Sequence, residues 1–97
     1  MEQPIACTLS AAELRGRTDE LAALAARALR SREQTPGGER LVFADSPRIE
    51  QELRAAVAAE EGCCAFLRMA LRRTGDGLVL DIAGPPDARP IIAKLFA

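Results

Sequence analysis

The chain contains no histidine, no tryptophan and no tyrosine, and Lys94 is the single lysine beside twelve arginines. Without imidazole there is no Ser-His-Asp or Cys-His catalytic unit and no His-based metal site. Charge of one sign is lacking too. Thirteen basic and fourteen acidic residues leave a formal charge of -1, so no cationic excess exists to bind a nucleic acid or a polybasic-seeking membrane surface. No apolar run approaches the ~20 residues that a membrane span requires. Met1-Glu2-Gln3-Pro4 has neither the basic region nor the apolar segment of a secretory signal, so cytoplasmic residence with reduced thiols is expected.

The 97 residues predict one domain, 1–97. Its core is lean: 19 of the apolar residues are alanine and only 23 are Leu, Ile, Val or Phe. A chain this short covers its apolar surface incompletely, which makes a homodimer an expected partner arrangement.

Local patterning predicts the order β-α-β-α-β-β-α. Ile5, Cys7 and Leu9 alternate with Ala6 and Thr8 as a short strand. Ser10 and Glu13 have the spacing of a capping box, with Leu9 and Leu14 as a hydrophobic staple, and open a helix expected over residues 11–32. Its stripe is Leu14, Leu21, Leu24, Ala25 and Ala28, and Arg27, Arg30 and Arg32 sit at its C-terminal end. Thr35-Pro36-Gly37-Gly38 turns the chain into a strand over Glu39–Ala44. Asp45 or Ser46, followed by Pro47, starts a second helix lasting to about Glu61, with Gly62 as its C′ residue. Ala65–Arg73 alternates as a strand, Thr74-Gly75-Asp76-Gly77 is a hairpin turn, and Leu78–Ile82 returns. Asp87 caps a last helix carrying Ile91, Ile92, Leu95 and Phe96. The expected fold is α/β (α+β), a two-layer sandwich of a four-stranded mixed sheet with helices mostly on one face.

The adjacent Cys63-Cys64 pair carries the chemistry. Both residues lie at a helix–strand junction, on either side of the direction set by Ile49. Cysteine is often a buried small hydrophobe, and packing is the competing role for all three thiols, Cys7 above all. Two consecutive residues of a strand, however, cannot both face inward. Three thiolates with no imidazole suit a soft, low-coordinate ion: Hg(II), Cu(I) or As(III). Zinc suits less, because Glu60 or Glu61 would have to complete the shell, and both read more simply as solvated helix surface. Pairs such as Asp19-Glu20 and Glu50 with Glu52 also read as solvated helix faces. Enzymatic thiol chemistry is disfavoured by the helix C-terminus and the neighbouring carboxylates, which oppose a free thiolate. A persulfide carrier and a small dimeric interaction module remain the alternatives.

Ile5-Ala6-Cys7-Thr8-Leu9, Glu60-Glu61-Gly62-Cys63-Cys64-Ala65-Phe66-Leu67 and Ile82-Ala83-Gly84-Pro85 together resemble a family of small bacterial CC-x-F-L proteins of similar length. Their motif is E-x-x-C-C-x-F-L, often with proline where Ala65 stands. Some members are associated with metal-responsive regulators and mercury or arsenic resistance genes. The resemblance implies a metal role for Cys63 and Cys64, with Cys7 matching the first-strand cysteine. The expected function is a cytoplasmic soft-metal or metalloid thiolate-binding protein.

Overall fold

A computed structural model describes residues 11–63 and 66–97, with the side chains of residues 11–15 and of Cys63 outside that description. The expected Ile5–Leu9 strand, the Ser10/Glu13 box and the Leu9/Leu14 staple lie outside the described residues. Helix α1 spans Ala11–Ala28, and strands β1 and β2 cover Leu29–Thr35 and Gly38–Phe43. Helix α2 is Pro47–Cys63, followed by β3 at Arg68–Thr74 and β4 at Gly77–Ala83. A 3-10 turn at Pro86–Ala88 leads into the short helix α3, Arg89–Lys94. The fold is the expected α+β class.

The sheet order is β1-β2-β4-β3, and every described pairing is antiparallel rather than mixed. Two features account for that difference: β4 lies between β2 and β3, the strands joined across α2, and β2 is preceded by a strand and not by a helix. The helix expected to reach residue 32 stops at Ala28, and Leu29–Thr35 is the strand β1. Arginine at 30 and 32 favours helix weakly, but residues 29–32 offer no apolar stripe for a helix to bury. Pairing with β2 gives that strand a second neighbour, and the Ala28 carbonyl accepts from the Ala44 amide at 2.8 Å. Tertiary pairing overrides local propensity. Arg30 and Arg32 therefore belong to the sheet and not to the C-terminal end of α1.

Register separates two sheet faces. Leu41 and Phe43 of β2 lie opposite Leu80 and Leu78 of β4, with Ile82 opposite Glu39. On this face Leu41, Phe43, Leu78, Leu80 and Ile82 are buried together with Leu21, Leu24 and Leu53 from the helices and Ile92 and Phe96 from the C-terminal segment. The Phe43 and Phe96 rings meet edge to face at 5.5 Å. The other face carries the row Glu33, Arg40 and Asp81, in which Asp81 accepts from Arg40 at 2.7 Å and also from Arg72.

Two glycines are dictated by close approach. A Cβ on Gly38 would lie 1.9 Å from the Ile82 carbonyl oxygen, so β2 and β4 come together only without it. Gly77 closes the expected β3–β4 hairpin with φ +129°, and a Cβ there would sit 2.4 Å from the Phe43 oxygen.

Helix starts are resolved finely. Ser46 caps α2, its Oγ accepting from the Ile49 amide at 3.1 Å, with Pro47 as the first helical residue. Gly62 is not the C′ residue, because α2 continues through it to Cys63. Asp87 does not cap α3: Ala88 occupies that place with no side-chain bond. What holds α3 is arginine. Arg32 donates to the carbonyls of Leu95, Ile92 and Ala93 at 2.8, 2.9 and 3.2 Å while paired with the buried Glu39. Arg89 donates to the Thr35 and Pro36 carbonyls of the β1–β2 turn. The described residues contain no helix long and apolar enough to cross a membrane.

Candidate functional site

Helices α1 and α2 lie antiparallel, as two ion pairs record. Arg17 meets Glu60 at 3.4 Å, and ten residues later Arg27 grips both oxygens of Glu52 at 3.1 and 3.3 Å. As residue numbers rise along α1 they fall along α2. The start of α1 at Ala11 therefore points toward the same end of the pair as Cys63, the last residue of α2. Cys7 precedes Ala11 by four residues, a span of at most ~14 Å of extended chain. The positions of Cys7 and Cys64 lie outside the described residues, as does the Cys63 side chain.

Glu60 is only 3% exposed, and this corrects its reading as solvated surface. The stripe Ile49, Leu53, Ala56 continues by the same spacing to position 60, which places that side chain under α1. A carboxylate is tolerated there because Arg17 crosses from α1 to meet it. The stripe arithmetic could have revealed this position; the identity of its partner on another helix could not be read locally. Glu60 stands one helical turn before Cys63, so a buried, charge-paired carboxylate borders the thiol end of the helix pair. Among the described residues no three His, Cys, Asp or Glu side chains group to hold a metal, and none of the three thiols is in that set.

Glu50 and Glu52 are likewise engaged rather than simply solvated. Glu50 accepts from Arg54 and from Arg73, and these guanidinium groups hold its carboxyl below the usual range. Arg73 also takes Asp45, which ties β3 to the start of α2 and raises the guanidinium's own pKa. Burial pushes the Asp81 carboxyl up, but Arg40 and Arg72 together outweigh it and hold the group below its ordinary value.

Two hollows border these elements. The larger, about 520 Å³, runs between α1 and α2 over Leu21, Leu24 and Ala56, with the Arg17 and Arg27 pairs along it. The smaller, about 360 Å³, is lined by Phe66, Arg68, Ala83, Gly84 and Pro85. It joins the segment after the cysteine pair to the end of β4. A Cβ on Gly84 would lie 3.2 Å from Ala88 Cβ, 3.3 Å from Leu67 Cδ2 and 3.4 Å from the Phe66 oxygen, so the two segments pack closely there. The sequence places Gly84-Pro85 only within the Ile82–Pro85 segment of the resemblance; its meeting with Phe66 depends on the β3–β4 register, in which Arg68 lies opposite Ala83.

Comparison with protein-family models, with curated proteins and with solved structures finds no match to this chain.

Proposed function

We propose that the chain is a soft-metal or metalloid thiolate-binding protein, a chaperone, buffer or sequestering factor located in the cytoplasm. Cys63 and Cys64 supply the principal thiolates and Cys7 the third. The observation that carries this reading is the antiparallel α1–α2 pair, which directs Ala11 and Cys63 to one end and leaves Cys7 within a short chain span of it. Thiolates without imidazole favour Hg(II), Cu(I) or As(III) over zinc. Coordination displaces the thiol protons, so the neighbouring carboxylate does not prevent binding. Turnover is not required of such a protein, and no general acid–base role is assigned to Glu60, which is committed to Arg17.

The test is an anaerobic titration of the reduced chain with Hg(II), followed in the near ultraviolet. With no Trp or Tyr, the thiolate-to-metal absorption stands on a low background. A break at one equivalent with all three thiols protected is the expected outcome, and competition with Cu(I) and As(III) then ranks the ions. Replacing Cys63 and Cys64 together by serine should lower affinity sharply while leaving the far-ultraviolet circular dichroism unchanged. Unaltered affinity in that double variant would overturn the reading. A thiol Cys7 left reactive at saturation would reduce the site to two ligands.

A further inference from the structure

We propose that the outer edge of β3 is a docking strand for an acidic, extended peptide of another protein. The peptide adds to the sheet in the antiparallel sense, with carboxylates on Arg68 and Arg72 and apolar side chains beside Met69 and Leu71. This inference stands apart from the metal reading and uses none of the three thiols.

The backbone comes first. In the order β1-β2-β4-β3 the two edges are β1 and β3. Thr74 and Gly77 close a two-residue hairpin and so form a hydrogen-bonded pair. Alternation then turns the N–H and C=O groups of Arg68, Ala70 and Arg72 toward β4, and those of Met69, Leu71 and Arg73 outward. Among the described residues no backbone group meets these outward positions. Natural edges are usually blunted by a bulge, a proline or a covering segment. Strand β1 has such devices: its register shifts between Leu29 and Ser31, and Arg89 reaches over to the Thr35 carbonyl. Strand β3 keeps an unbroken register from Arg68 to Thr74 and contains no proline.

Charge selects the occupant. Strand β3 reads Arg-Met-Ala-Leu-Arg-Arg-Thr, three cations and no acid. Arg73, on the helix-covered face, is committed to Asp45 and Glu50. Arg68 and Arg72 share the opposite face and are exposed. Arg68 has no ion pair or hydrogen bond among the described residues, and Arg72 shares the single carboxylate of Asp81 with Arg40. A second copy pairing through β3 would line the arginines of both strands along one seam with no carboxylate on either, which like-charge repulsion opposes. A strand with acidic residues four positions apart instead sets one carboxylate opposite Arg68 and the other opposite Arg72, each open to a charge-assisted hydrogen bond. Two of the three positions between them fall opposite Met69 and Leu71 on the core face, where Leu71 is only partly buried at the rim of the core. The pattern that fits is acid, apolar, any residue, apolar, acid, with main-chain bonds supplying affinity and the side chains supplying selection.

Titration of the full, isotopically labelled chain with the capped peptide acetyl-TEVSVET-amide tests this by amide shifts and hydrogen exchange. In the free chain the Met69, Leu71 and Arg73 amides should exchange faster than those of Ala70 and Arg72, and saturating peptide should slow them by about tenfold or more. The lysine counterpart acetyl-TKVSVKT-amide should bind at least about tenfold more weakly. N-methylation of the first valine, which removes the donor opposite Leu71 and keeps the side chain, should cost at least about fivefold. Arg68→Gln should weaken the acidic peptide by about threefold to fivefold, the size of an exposed ion pair. Arg68→Glu should shift the preference to acetyl-TEVSVKT-amide, whose lysine meets position 68 in the antiparallel pairing. Equal affinity for the lysine peptide, no loss on N-methylation, or no shift of preference in Arg68→Glu would overturn the proposal. Slow exchange of the Met69 and Leu71 amides in the free chain would also overturn it. Such protection independent of concentration would mean that another part of the chain covers the edge, and protection rising with concentration that a second copy does.

Discussion

Replacing Arg32 by methionine should be among the most damaging changes available outside the apolar core. The guanidinium does two things at once. It neutralises Glu39, which is 5% exposed on the helix-covered face of the sheet, and it donates to three carbonyls at the end of α3. Removing one partner of a buried ion pair costs ~3–5 kcal/mol, because the other charge stays in a poorly solvating place. Arg32 is itself 23% exposed, so water can enter and the lower end, about 3 kcal/mol, is expected. For a domain near this size that corresponds to a fall in Tm of roughly 12–24 °C. Urea unfolding followed by circular dichroism is the assay, since the chain has no Trp to report by fluorescence. A double-mutant cycle with Glu39→Met sharpens it. With the carboxylate gone as well, the double variant should be more stable than the sum of the single changes implies, by at least ~1 kcal/mol. A loss under ~1 kcal/mol for Arg32→Met, or strict additivity in the cycle, would refute the role assigned to this pair.

Gly38→Ala should destabilise by more than ~3 kcal/mol, because a Cβ 1.9 Å from the Ile82 oxygen forces β2 and β4 apart; equilibrium unfolding measures it. Phe96→Ala should cost about 3–4 kcal/mol through loss of a side chain only 2% exposed and its edge contact with Phe43, read by the same assay. Acid should weaken the fold in a defined window. Glu50 and Asp81 have folded pKa values below their ordinary ones, so the stability they contribute is present above the unfolded carboxylate range near ~4 and is lost as pH falls through the folded values. A Tm profile should therefore be level down to about pH 5 and fall below it, and Asp81→Asn should flatten part of the fall.

The elements legible in sequence were those with their determinants close by. Ser46-Pro47 marks the start of α2 by a cap and a proline that act within one turn, and Asp76-Gly77 marks the hairpin by a backbone geometry that glycine alone relieves. Strand β1 was not legible, because nothing in Leu29–Thr35 itself resembles a half-buried strand: its pattern is mostly exposed, and what holds it is β2 on one side and α3 above. An edge strand stabilised by a neighbour's backbone and by one arginine carries no hydrophobic period to read. The mixed sheet was expected from two strand-helix-strand crossovers: the one into β2 is replaced by the β1–β2 turn, and the one across α2 joins β2 and β3, which β4 separates.

The same distinction decides what was readable at the candidate site. Cys63-Cys64 stands out by composition, and the stripe through Leu53 and Ala56, extended by its own spacing, reaches position 60, where the sequence reading had put solvated surface. What sequence could not supply was Arg17, forty-three residues away, which turns an improbable buried carboxylate into a fixed inter-helix bond. That bond also has a consequence for the thiols. With Arg27–Glu52 it records the antiparallel sense of α1 against α2, and that sense brings the Ala11 end of α1 to the Cys63 end of α2. A parallel pair would have carried Ala11 to the Pro47 end, a helix length of about 24 Å from Cys63, beyond the ~14 Å that four residues can span. The antiparallel sense is thus a condition for a three-cysteine site, and Glu60→Gln combined with Glu52→Gln tests how far the pairs hold the helix ends in place. If the pairs set the packing, the double change should loosen Cys7 protection at saturating Hg(II) while Cys63 and Cys64 stay protected. Equal protection of all three thiols in that variant would show that the helix pair does not govern their convergence.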